Sequence, residues 1–233
     1  IYQNEKSRIT FAGDAPSNFP ESLDFSGDSF SIQYNVLSRM IDRTLFAVAK
    51  EHARYALCGV LWELDGNDIK LVATDGRRLS VAVGKCKGEI NSAGKTWVVP
   101  TKAMSFIKNY LPPSTGGFLP QEAQIAFGKN EVAFKTDNVV LISKLVEGRY
   151  PPYKEVYPKS FKIKIKVNSE SIIKALKKIN VVTDSINKGV NCVLKSNKLY
   201  LISQNDKDKA EASIPIEYEG EELKKIRDKY AVR

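Results

Sequence analysis

Ser29-Phe30-Ser31-Ile32-Gln33-Tyr34 alternates polar and apolar side chains, and Asn35-Val36-Leu37-Ser38-Arg39-Met40-Ile41-Asp42-Arg43-Thr44-Leu45 then changes to a helical spacing. The first segment has period two, which puts Phe30, Ile32 and Tyr34 on one face of a half-buried strand. The second repeats Val36, Leu37, Met40, Ile41, Leu45 and Val48 along one stripe of an amphipathic helix, with Asn35 placed to cap its start. Strand patterns follow at 59–64, 69–74 and 78–83, separated by Asp65-Gly66-Asn67 and Asp75-Gly76, residues that favour tight reversals. One strand, one helix and three strands make up the unit.

The unit recurs. Residues 96–99 read as a strand, and Pro100-Thr101 opens a helix carrying Met104, Ile107, Tyr110 and Leu111. Pro112-Pro113 stops it, because proline has no N–H with which to continue. Strands are expected at 123–127, 131–136 and 139–145, with turns at Gly128-Lys129-Asn130 and Asp137-Asn138. A third copy opens at 161–167, where Phe161, Ile163, Ile165 and Val167 alternate with Lys162, Lys164 and Lys166; these lysines suit a solvated sheet face or edge. Asn168 or Ser169 caps a helix bearing Ile172, Ile173, Leu176 and Ile179, and strands at 190–195, 198–203 and 210–218, with a turn at Ser196-Asn197, complete the copy.

The fold class is therefore α+β, built of repeated βαβββ half-domains. Two copies make one domain, from about 28 to 147; the third is half a domain whose partner half is barely begun in 221–233. Residues 7–12 read as a leftover strand of a preceding domain, so the chain reads as the middle of something larger. Proline marks the links, at Ala15-Pro16-Ser17-Asn18-Phe19-Pro20 and Gly148-Arg149-Tyr150-Pro151-Pro152-Tyr153.

Composition narrows the function. At 233 residues, one or two domains are expected. Thirty-six Lys and Arg against 27 Asp and Glu leave +9, which fits a polyanionic partner. No apolar run approaches the roughly 18–20 residues that span a bilayer, and no leader pattern opens the sequence. Cys58, Cys86 and Cys192 are far apart with no CxxC pair, and His52 is the one histidine, so the usual zinc sets are excluded and a reduced, cytoplasmic protein is expected. A nucleophile–histidine pair would have to use His52, which stands among charged neighbours, and the glycine-rich phosphate loops are absent. Asp65, Asp68 and Asp75 read as turn residues rather than paired catalytic carboxylates. The expectation is a non-catalytic protein without cofactor or metal.

Particular strings then point to a family. Val72-Ala73-Thr74-Asp75-Gly76-Arg77-Arg78-Leu79 resembles the ATDxxRL signature of the bacterial DNA polymerase III beta subunit, the sliding-clamp family. Ser143-Lys144-Leu145-Val146-Glu147-Gly148-Arg149-Tyr150-Pro151 resembles its SKLxEGRFPDY stretch, and Arg54-Tyr55-Ala56-Leu57-Cys58-Gly59-Val60 its RYxLNGV segment, with Cys58 in place of Asn. Ser7-Arg8-Ile9-Thr10-Phe11 with Phe19-Pro20 is similar to the close of the family's first domain. The resemblance covers nearly the whole chain in order and spacing.

It implies a DNA-clamp fold, with helices inside and antiparallel sheets outside a dimeric ring. Residues 1–20 would end the first clamp domain, 21–150 form the second, and 151–233 begin the third. It implies a processivity factor that encircles double-stranded DNA and takes short peptide motifs of the replicative polymerase, the clamp loader and repair proteins, with no membrane partner. Carried over residue by residue, the peptide pocket would use Leu57, Thr74, Gly76, Arg77, Arg78, Leu79, Pro151 and Val156. Arg77 stands where the family varies, and Glu155 where a basic residue is often found. DNA would meet Arg54 and Tyr55 at the ring face; Ala56 replaces a second aromatic there. It would also meet cations on the polar helix faces: Arg39 and Arg43, Lys102 and Lys108, and Lys174, Lys177 and Lys178. The rival reading is a basic domain that grips DNA directly without a ring. Retention on a closed circle but not on a cut one separates the two.

Overall fold

The computed structural model describes residues 2–3, 8–18, 29–50, 55–88, 94–110, 122–136, 139–158, 160–161, 163–182, 189–195 and 197–220. These fall into two compact units, Ile1–Glu155 and Val156–Arg233. Several expected features lie outside the described residues: His52, Arg54, Leu111, the Pro112-Pro113 stop, the Asp137-Asn138 turn, Lys162, Ser196, Phe19-Pro20 and residues 221–233.

The first unit opens with a two-strand ladder, β1 (Tyr2–Gln3) against β2 (Arg8–Ile9), so the strand expected over 7–12 is shorter than its pattern. The repeats follow. The first comprises β3 (Ser29–Gln33), α1 (Tyr34–Thr44), β4 (Gly59–Asp65), β5 (Asp68–Thr74) and β6 (Leu79–Lys85). The second comprises β7 (Thr96–Pro100), α2 (Thr101–Tyr110), β8 (Glu122–Phe127), β9 (Glu131–Lys135) and β10 (Val140–Lys144).

The two halves exchange their first strands. The sheets run β6-β5-β4-β7 and β10-β9-β8-β3, antiparallel throughout. Thus β3 leaves its own half to pair with β8, placing Phe30 opposite Ile125, while β7 crosses to β4, placing Pro100 opposite Gly59. Further hydrogen bonds join the sheets at both ends: Ser31 and Lys87 exchange main-chain bonds of 2.7 and 2.8 Å, and the Val146 N–H donates to the Val98 carbonyl at 2.8 Å. One core fills the space between, because alternation turns Val60, Trp62, Leu64, Ile69, Leu71 and Ala73 inward from one sheet and Ile32, Ile125, Val132 and Phe134 from the other. Phe127 is the aromatic hub. It stacks on Trp97 at 4.1 Å between ring centres and meets Trp62 edge-on at 5.7 Å.

Helix α1 begins two residues earlier than the Asn35 cap predicts. Strand β3 stays hydrogen-bonded to β8 through Gln33, and the chain turns directly into the helix at Tyr34, with extended Gln33 as a cap that makes no side-chain bond. Leu37, Met40 and Ile41 are buried, and the Thr44 hydroxyl donates to the Met40 carbonyl at 2.8 Å, which satisfies a polar group in the core.

The second unit repeats the pattern with β11 (Ile163–Lys166), α3 (Ser169–Ile179), β12 (Asn191–Lys195), β13 (Lys198–Gln204), β14 (Lys209–Pro215) and β15 (Glu217–Gly220). Asn168 is the cap of α3, its side chain accepting from the Ser171 N–H at 3.0 Å. The single strand expected over 210–218 is two. Pro215 ends the ladder with β13, the Ile216 N–H turns to the Asn197 carbonyl, and β15 pairs instead with β11. Lys164 and Lys166 are exposed on β11, in register with Glu219 and Glu217.

Candidate functional site

The outer face of the β6-β5-β4-β7 sheet is apolar where it should meet water. Leu61, Val72 and Val98 point away from the main core and form a second cluster with Leu57, Ala56 and Ala49, flanked by half-buried Leu79, Val81 and Val146. The chain that leaves β10 covers part of this face with Tyr150 and Tyr153. Tyr150 hydroxyl lies 3.4 Å from the Val72 carbonyl, and burial pushes its pKa up to about 12, against a smaller lowering from the Thr74 main chain. Tyr153 donates to the Glu63 carboxylate at 2.7 Å, with Lys154 3.5 Å from the same oxygen.

At one end of this face the four-residue loop between β5 and β6 is braced from within. Thr74 hydroxyl accepts from the Gly76 N–H at 3.1 Å and donates to the Arg78 carbonyl at 2.7 Å. One Asp75 oxygen accepts the N–H groups of Arg77 and Arg78, each at 3.0 Å; the other takes the Arg78 Nε at 3.0 Å. Partial burial works to raise the Asp75 pKa, but those N–H donors and the Arg78 charge outweigh it and hold the carboxyl below its ordinary value. Gly76 takes φ +85°, a conformation that disfavours any side chain. The Arg78 guanidinium lies 5.8 Å from the centre of the Phe46 ring, and the Ser80 hydroxyl bonds the Arg43 carbonyl at the end of α1.

Of the pocket residues predicted from sequence, the fold brings Leu57 and Leu79 into the apolar cluster, with Thr74, Gly76, Arg77 and Arg78 in the braced loop and Pro151 beside buried Tyr150. Val156 belongs to the second unit and is 67% exposed. A cleft of about 830 Å³ opens beside this cluster, where β7 and the end of β10 meet; Leu61, Val98, Tyr150 and Tyr153 of the cluster are among its walls with Trp97, Lys129, Lys144 and Arg149, and Pro151 is the one predicted pocket residue that reaches it. Sequence reasoning missed Tyr150, Tyr153 and Phe46. Phe46 carried a signal: a large aromatic standing off the apolar stripe next to Leu45, and it is 58% exposed.

The predicted DNA-facing cations differ in their freedom. Arg39, Arg43 and Lys102 are exposed on α1 and α2. Lys108, however, is ion-paired with Asp42 and links the two helices, so it is no free cation. On α3, Lys174 reaches Glu170 at 3.7 Å, whereas Lys177 and Lys178 have no ion pair among the described residues. Tyr55 is 85% exposed, and Ala56 beside it is buried. Among the described residues no helix is long and apolar enough to cross a membrane, and no group of three His, Cys, Asp or Glu side chains is placed to hold a metal.

Residues 31–152 match the family model of the DNA polymerase III beta subunit, central domain. The chain is 29% identical over 225 residues to the beta sliding clamp of Haemophilus influenzae and 27% identical over 227 residues to that of Escherichia coli K12; each match covers 96% of this chain and 60% of the relative. The DNA polymerase III beta subunit of Pseudomonas aeruginosa superposes with a TM-score of 0.78 at 27% identity, covering 93% of this chain and 58% of that one. A Pseudomonas aeruginosa sliding clamp solved bound to griselimycin gives 0.76 at 27% identity, over 92% and 57%. The chain thus spans about 60% of the length of the curated relatives it matches. With its strand-exchanged halves and a family match over more than half its residues, this chain belongs to the DNA polymerase III beta subunit family.

Proposed function

We propose that the protein is a replication processivity factor, a non-catalytic clamp that works by topology in the bacterial cytoplasm. The observation that carries this reading is the family match over the strand-exchanged domain, in which the ATDGRRL loop lies at one end of an apolar outer face. Residues 1–20 are the end of a first clamp domain, 21–150 the second, and 151–233 the first half of a third, in a protein that closes as a homodimeric ring around duplex DNA.

Two surfaces divide the work. Arg39, Arg43, Lys102, Lys174, Lys177 and Lys178, with Arg54 and Tyr55, meet phosphate and exposed bases without reading sequence, so the ring slides. Leu57, Thr74, Gly76, Arg77, Arg78, Leu79, Pro151 and Val156 form a site for short linear motifs from the replicative polymerase, the clamp loader and repair proteins. Apolar side chains of the peptide would settle on Leu57 and Leu79, and its backbone would approach Gly76. The test is retention. The full-length protein, loaded on a nicked circle, should remain through gel filtration and be lost when the circle is linearised. Equal retention on circle and line would replace the ring by a domain that grips DNA directly.

A further inference from the structure

The two neighbouring arginines of the braced loop are not equivalent. Arg78 is committed: its Nε lies 3.0 Å from Asp75, its guanidinium sits by the Phe46 ring, and its carbonyl accepts from Thr74. Arg77 uses only its main-chain N–H there, and its guanidinium has no ion pair among the described residues. Asp75 is not free to neutralise both, since its two oxygens already serve two main-chain N–H groups and the Arg78 side chain. Asp42, the nearest acid in sequence to Arg43 on α1, is taken by Lys108. Glu63, on the outer face of the same sheet, is taken by Tyr153 and Lys154. The loop from Asp75 to Arg78 therefore carries one unbalanced positive charge, and it resides on Arg77, exposed two residues before Leu79.

We propose that Arg77 is the specificity-determining residue of the peptide site, selecting motifs that place a carboxylate next to their apolar anchors. This rests on the peptide-site reading above. Leu57 and Leu79 accept the aliphatic or aromatic side chains whatever the motif's charge. Arg78, fixed and already half-neutralised, offers hydrogen bonds without charge preference. Arg77 adds what the rest of the site lacks: an exposed fork of N–H donors with full charge, suited to bidentate capture of a carboxylate. A neutral isostere in the peptide forfeits that bond, while a cationic one meets repulsion, so the residue acts by discrimination more than by bulk affinity.

Two fluorescein-labelled peptides with identical aliphatic and aromatic residues, differing only by Asp or Asn at one polar position moved in turn along the motif, separate these roles by anisotropy on the complete protein. At low salt the best Asp peptide should bind about fivefold tighter than its Asn partner, the upper range for an exposed ion pair. Arg77→Gln should erase that gap by weakening the Asp peptide about fivefold more than its Asn partner, and Arg77→Lys should restore part of it. Arg78→Gln should weaken both peptides alike. Equal affinities for wild type at every position, or a gap that survives Arg77→Gln, would overturn the proposal while leaving the peptide site standing. Binding of neither peptide to wild type would remove the site itself, and this inference with it.

Discussion

The hydroxyl of Tyr153 and the carboxylate of Glu63 stand 2.7 Å apart, tying the chain that leaves β10 to the outer face of β4. Glu63 is largely covered, so the bond is charge-assisted in a poorly solvated place. Tyr153→Phe keeps the ring and deletes the donor, and should lower stability by roughly 1–3 kcal/mol. Thermal unfolding of the variant beside wild type measures this; an unchanged Tm would mean that water replaces the hydroxyl.

Gly59 should tolerate no side chain. A Cβ there would stand 2.6 Å from Val98 Cγ1 and 2.7 Å from the Val99 carbonyl, and the latter is main chain that cannot swing aside. Gly59→Ala should cost roughly 1–3 kcal/mol through forced separation of β4 and β7. Denaturant unfolding should place its midpoint clearly below that of Gly94→Ala, whose added Cβ meets nothing within 4 Å but must share the strained φ of +82°.

Leu79→Asp puts a charge on the half-buried rim of the outer apolar cluster without entering the main core. Binding of a clamp-motif peptide should fall by at least an order of magnitude, or roughly 1.4 kcal/mol. Circular dichroism should stay unchanged, and undiminished affinity would move the site elsewhere.

The helix cations should separate by their pairing. Removing the charges of Lys177 and Lys178 should flatten the log–log salt dependence of DNA association by about 0.9 for each phosphate left without its cation. Lys108→Gln should change that slope least, because its charge is already matched by Asp42. A titration of association constant against salt for each variant decides the order.

Acid should free the braced loop only late. The Asp75 carboxyl is held below its ordinary value of 3.8, so its bonds stabilise the fold above that pH and are lost as pH falls through the lower, folded value. The amide signals of Gly76, Arg77 and Arg78 should hold constant from about pH 8 to 5 and move together only below about pH 4. Asp75→Asn should shift Arg78 at every pH, because the neutral amide loses the ionic bond.

Much of this architecture was legible because its periods are clean. Phe30 and Ile32 sit at alternate positions and Leu37, Met40 and Ile41 at helical ones, and each is buried. What escaped the pattern depended on partners distant in sequence. Nothing around Asn35 says that Gln33 is still paired with Glu122 and that the helix must start at once. Alternation carries straight through Pro215, while the ladder ends there because β15 has a different neighbour. The site divides the same way. Leu57, Gly76 and Leu79 were readable from a motif, but Tyr150 and Tyr153 cover the outer face only because β10 delivers them there. That Lys108 is paired became visible only once α2 lay beside α1.

The exchange of β3 and β7 has a consequence for the newborn chain. Strand β3 leaves the ribosome well before β8, its only ladder partner among the described residues, which ends at Phe127. Until that point is synthesised, β3 has only the Ser31–Lys87 bonds to hold it, and the first half waits with an open edge. Protection of the early amides should therefore arise in one late step, when the second half emerges, rather than half by half.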